Sequence, residues 1–133
     1  MPAQTIIDNP SVTLWYHADK KIVHHKIHKF IFGKEFRELL LTGSDVLKKN
    51  QAQKWLSDDR SNSVLSKEDL EWSETHWAPG AAQGGWKYWA IVQPEKVLGQ
   101  AAMERLVKKY ATLGVKARIF TDSTEAMTWL EQQ

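Results

Sequence analysis

The 133-residue sequence predicts an α/β fold built on a five-stranded mixed sheet with an antiparallel first strand and about four helices. Two observations carry this. VTLWYHA (12–18) and KIVHHKIHKFI (21–31) alternate strongly and flank Asp19-Lys20, a turn signal, so they read as a hairpin. Three strand-helix units then follow, with crossovers long enough for parallel pairing.

Taken in order, residues 1–11, with Pro2 and Pro10, are expected to form a flexible arm, leaving 12–133 as a single domain. The hairpin register sets Tyr16 opposite Val23 and Leu14 opposite His25 on one face. Thr13, Trp15 and His17 lie beside Ile22, His24 and Lys26 on the other. GKEFRELLLTGSDVLKKN (33–50) lines Phe36, Leu39, Leu40, Gly43, Val46 and Leu47 along one helical stripe. A mid-helix glycine costs about 1 kcal/mol relative to alanine, so Gly43 is read as a point of close approach between helix and sheet. A short strand is expected from Gln53 to Ser57. Ser66 and Asp69 form a capping-box pattern opening a helix through Leu70, Ser73 and Trp77, and Pro79-Gly80 and Gly84-Gly85 interrupt what comes after. The apolar run WKYWAIV (86–92) fits a strand covered on both sides and ended by Pro94. Leu98 to Leu113 carries Ala102, Met103, Leu106, Val107 and Tyr110 at helical spacing, with Gly114 where a left-handed cap belongs. VKARIF (115–120) alternates, with one face wet. Asp122 and Glu125 then open a last helix that buries Ala126, Trp129 and Leu130.

Composition narrows the function classes. A chain of this length suits one core and one site. No run approaches the roughly 18 apolar residues that span a membrane, and MPAQTIIDNPS lacks the regions of a signal peptide, so the expected location is cytoplasmic. Zero cysteines exclude disulfides, thiolate metal sites and thiol nucleophiles. The formal net charge is only +2, with both signs interspersed, so no nucleic-acid partner is expected. Seven tryptophans are the unusual count. Such rings concentrate in cores and interfaces, and self-association as a homo-oligomer, a dimer, would cover any that are exposed.

From residue 12 onward the chain resembles the SpoIIAA-like proteins, the STAS-type group of anti-sigma factor antagonists, whose fold is shared with the carboxy-terminal region of CRAL-TRIO lipid-transfer proteins. The stretches IVHHKIHKFIFGKEFRELL, KWLSDDRSNS, GWKYWAIVQPEKVLGQ and ARIFTDSTEAMTWLEQQ carry the resemblance. It implies a (βα) superhelix with sequential strand order. In the antagonists a partner kinase phosphorylates a serine at the helix start that follows the WLSDD strand, within an Asp-Ser-Ser-Gly motif. This chain continues Arg60-Ser61-Asn62-Ser63-Val64-Leu65-Ser66 and has no Ser-Gly pair there.

WLSDDR (55–60) ends an inner parallel strand, where open α/β sheets bind ligands. Asp58 and Asp59 point apart if extended and make a poor acid/base pair, and Ser57 has no assigned histidine to activate it. The plainer reading has the acids, Ser61 and Asn62 bonding loop amides while Arg60 pairs with an acid. His17, His24, His25 and His28 lack converging metal-ligand spacing, so no metal is expected. Gly84-Gly85 enters a strand rather than a helix, which fits a tight turn and not a phosphate loop. No cofactor is implied.

The leading expectation is therefore a non-enzymatic STAS-like domain that binds a regulatory protein partner or a small ligand. Its contacts would come from Ser57, Asp58, Asp59, Arg60, Ser61, Ser63 and Trp86. The alternative is an apolar small-molecule or lipid-binding module with Trp72 and Trp77 lining its pocket. A hydrolase using the Asp58/Asp59 loop is third.

Overall fold

The structure, a computed structural model, describes residues 3–61, 65–93 and 100–133. Expectations resting on Pro2, Ser63, Pro94, the helix start at Leu98 and the side chains of Ala102 and Met103 lie outside the described residues.

Six strands form one sheet in sequential order, β1 (Gln4–Asp8), β2 (Val12–His17), β3 (Ile22–Ile27), β4 (Lys54–Asp58), β5 (Tyr88–Val92) and β6 (Lys116–Phe120). β2 runs antiparallel to both β1 and β3, and β3 to β6 are mutually parallel. The hairpin register is the expected one, with Leu14 opposite His25 and Tyr16 opposite Val23.

The sheet thus has six strands rather than five, and the segment expected to be a flexible arm supplies the extra one. Asn9 closes the β1–β2 turn by accepting from the Ser11 and Val12 amides at 2.9 Å. A register shift between Thr5 and Ile7 accommodates Ile6. All but Ile7 of this edge strand are exposed, so no buried alternation announces it, and its pairing rests on backbone hydrogen bonds.

Helix α1 (Lys34–Lys49) packs on β2 and β3. Helix α2 (Lys67–Trp72), a π-helical stretch (Ser73–Trp77) and α3 (Ala78–Gln83) continue one into the next, so that with α4 (Gln100–Ala111) and α5 (Ser123–Glu131) the described residues form four helical bodies. Period-2 alternation sends neighbouring residues to opposite faces. Trp55 joins a core with Leu14, Val23, Leu39, Leu47, Trp77, Trp86 and Tyr110, under α1 to α4. Leu56 joins a second core with Ile22, Ala90, Val92, Trp129 and Leu130, under α5. Crossovers that all advance in one direction place their helices on one face. Among the described helices only α5, the last, covers the other.

The caps follow the sequence. Ser66 accepts from the Asp69 amide at 3.1 Å, and Asp122 accepts from that of Thr124 at 2.9 Å. Asp69 does more than open α2. Its buried carboxylate accepts from the Gly33 amide at 2.9 Å and faces Arg37 at 3.5 Å, tying α2 to the start of α1.

Candidate ligand-binding cavity

A cavity of about 480 Å³ lies between the sheet and the helices of the α1–α4 face. Its floor is built by three parallel strands in register. Val23, Trp55 and Trp89 form one rung, and His25, Ser57 and Ile91 form the next toward the carboxyl ends. Beyond them come Ile27, Asp59 and Gln93 on the same face, where the Asp59 amide donates to the Val92 carbonyl at 2.9 Å. The floor therefore grades from aromatic to polar along the strands. Phe36 and Leu40 of α1, Ser73, Glu74 and Trp77 of the π-helical stretch, and Arg105, Leu106, Lys109 and Tyr110 of α4 complete the walls.

Four tryptophans and Tyr110 pack edge-to-face or tilted, with centroids 4.7 to 6.0 Å apart, within the favourable range for such pairs. Every one of the four indole N–H groups is satisfied inside the protein. Trp55 donates to His25 Nδ1 (3.0 Å), Trp77 to the Leu40 carbonyl (3.0 Å), Trp86 to the Tyr88 carbonyl (3.2 Å) and Trp89 to Ser57 Oγ (2.8 Å). Burial pushes the Tyr110 hydroxyl pKa up, and Glu74 adds to the shift. Glu74 is in turn paired with Lys109, a bridge between the π-helical stretch and α4.

The bonds fix the histidine chemistry. An indole nitrogen can only donate, so His25 Nδ1 is an acceptor, and the ring proton sits on Nε2, which donates to Asp59 Oδ1 at 2.7 Å. Both nitrogens of His25 are committed and neither meets Ser57, although the two residues are register partners. Ser57 accepts from Trp89 instead, which leaves its hydroxyl without a general base.

The sequence-derived candidates divide between the two faces. Ser57, Asp59, Trp77 and Trp86 come together in the cavity wall. Asp58 points to the other face, nearly fully buried, where Arg60 binds it with Nε at 2.9 Å and Nη2 at 2.7 Å. Burial pushes the Asp58 carboxyl up, but the hydrogen bonds and charge of Arg60 outweigh it and hold the pKa below its usual value. Ser61 is exposed after the strand, and Ser66 is engaged as a helix cap. Trp72 is not in the cavity wall as expected; its ring lies under the Arg37 guanidinium, 5.1 Å away, which draws it toward the α1–α2 junction.

His25, Trp89, Gln93, Arg105 and Tyr110 were not among those candidates. The available signal was parity: Trp89, Ile91 and Gln93 share a face, and His25 shares one with the Leu14 side of the hairpin. His17, His24 and His28 serve the outer face, and His76 is exposed on the π-helical stretch. His17 and His24 meet at 3.1 Å, His24 also lies against Trp15, and His28 meets Thr13 at 2.7 Å. Among the described residues no three His, Asp or Glu side chains gather as a metal-binding group.

Comparison with known structures follows the same architecture. The chain superposes on an uncharacterized protein from the DUF3478 family of Shewanella loihica PV-4, whose crystal structure has a SpoIIAA-like fold, with a TM-score of 0.57 over 94% of this chain and 98% of that one. The fold is SpoIIAA-like. Sequence identity to that protein is 13%, so the likeness concerns the fold alone. No family model matches the sequence, and no curated protein is detectably similar to it. Among the described residues of this SpoIIAA-like chain, no helix is long and apolar enough to cross a membrane.

Proposed function

We propose that this SpoIIAA-like domain is a non-enzymatic binding module whose aromatic cavity takes a small, largely apolar molecule with a flat body. The observation that carries the reading is the cavity itself. Its volume falls inside the roughly 300 to 1,000 Å³ range of small-molecule sites, and its wall combines four tryptophans and a tyrosine with a few grouped polar side chains. Trp55 and Trp86, each 1% exposed, and Tyr110 are held by their neighbours, so the site is preformed and a ligand need not order it. The committed nitrogens of His25 favour binding over hydrolysis, because of the two serines in the wall Ser57 meets no base among the described residues and Ser73 donates its hydroxyl to the Leu70 carbonyl.

The test is calorimetric titration and thermal shift with indole, naphthalene and laurate as probes. At about a hundred times Kd, binding stabilises by roughly 3 kcal/mol, which raises Tm by several degrees in a domain this size. Leu106→Trp, placed on the half-buried wall of α4, should fill the cavity and abolish that shift. No shift with any probe, or a shift unchanged in a folded Leu106→Trp variant, would exclude the cavity as the site.

A further inference from the structure

We infer that the cavity selects a ligand whose polar end is a hydrogen-bond donor, an ammonium or a ring N–H, directed at the carboxyl ends of β4 and β5, over a ligand ending in a carboxylate there. This rests on the cavity being the binding site and adds the polarity of what it binds.

The polar inventory of the wall is lopsided. The indole N–H groups of the aromatic end are all spent on protein acceptors, so its tryptophans offer a ligand ring faces and edges but no donor, and the Tyr110 and Ser57 hydroxyls there can donate or accept. Two acceptors remain at the opposite end. Gln93 Oε1 is buried and has no hydrogen-bond partner among the described residues, a costly state that a ligand N–H would relieve. Asp59 lines the same end of the cavity and brings its carboxylate there; His25 takes Oδ1, and the side chain is 20% exposed. A ligand carboxylate set there meets like charge at low effective dielectric, whereas an ammonium gains a charge-assisted bond.

The cationic groups of the wall do not reverse this. Lys109 is already paired with Glu74. Arg105 is exposed on α4, where water screens it, and it belongs to a helix wall rather than to the strand ends. The aromatic floor adds in the same direction, since tryptophan faces attract cations and repel anions.

Isothermal titration of the full chain with tryptamine and indole-3-acetate, which share a ring and differ in the charge of the side chain, tests the inference, with laurate as an apolar carboxylate. Tryptamine should bind at least about tenfold tighter than indole-3-acetate. Asp59→Asn keeps an acceptor for His25 Nε2–H while removing the charge, and it should erase most of that preference. Gln93→Leu, on the neighbouring strand, should weaken tryptamine independently. If indole-3-acetate or laurate binds as tightly as tryptamine, and Arg105→Ala weakens it, the donor-end inference is overturned while cavity binding stands. A tryptamine preference untouched by both Asp59→Asn and Gln93→Leu overturns it as well. If none of the three probes binds, it falls together with the reading it rests on.

Discussion

Asp58 and Asp59 are neighbours in the chain and do different jobs because a strand alternates its side chains. Asp59 reaches the cavity and holds His25, while Asp58 is buried on the far face under two hydrogen bonds from Arg60. Parity alone made their divergence legible in WLSDDR, and so was an acid partner for Arg60. The His25 bonds were not, because they depend on which strand lies beside β4 and in what register, information that only the assembled sheet supplies. The separation has a consequence. Removing the guanidinium leaves a buried carboxylate short of its partner, so Arg60→Ala should destabilise the domain by about 2 kcal/mol, after allowance for the partial exposure of the arginine. Calorimetric titration at a temperature where the variant is folded should return an unchanged ligand affinity, because the pair lies across the sheet from the cavity. A loss of affinity without a loss of stability would place Arg60 in the site instead.

Among elements, α1 meets a β4 side chain at very close range. A Cβ built on Gly43 would lie 2.2 Å from Cη2 of Trp55, whose ring is 1% exposed and packed by Trp77 and Trp86. The glycine's cost in helix propensity pointed to such a contact from sequence, although not to the ring that makes it. Gly43→Ala gains roughly 1 kcal/mol of propensity and loses more to overpacking, typically about 1 to 3 kcal/mol, because the indole has no free side to move toward except the cavity. Urea unfolding should show a net loss of stability, and the displaced ring should weaken ligand binding in the same variant. A variant more stable than the parent would mean that the ring relocates without cost. Elements with a strong period were readable: α1, α5, the hairpin and β4 to β6 lie within a few residues of their expected limits. β1 was not, since an edge strand with one half-buried residue has no apolar pattern to read. Nor was the π-helical stretch, whose residues keep helical composition while the hydrogen-bond spacing changes.

For the whole molecule, the sheet is asymmetric in its cover. Helices α1 to α4 enclose one face, and α5 packs mainly on β4, β5 and β6 of the other, reaching β3 at Ile22. The outer face of the hairpin is left to its own side chains, Trp15, His17 and His24, with the turn held to α5 by Lys20 and Glu131 at 2.6 Å. Sequence parity had gathered those residues on one face, and among the described residues no helix covers them, so the three rings pack on one another. Burial drives the His24 pKa down to about 3, helped by the positive potential of His17, His25 and Lys26 and opposed by Asp58, and burial followed by Lys20 lowers that of His17. The sign is then determined. An unfolded histidine takes a proton near 6.5 while folded His24 stays neutral, so below that pH the unfolded state binds more protons and stability falls as pH falls toward 3. Asp58, with its lowered pKa, adds to the same acid loss at the lower end of the range. Urea midpoints measured from pH 7 downward should decline through this window, with His24 contributing a loss on the order of 2 kcal/mol by about pH 5. His24→Gln cannot titrate, so it should flatten the upper part of the decline while leaving the Asp58 part in place; an unaltered slope in that variant would assign the acid sensitivity to other groups.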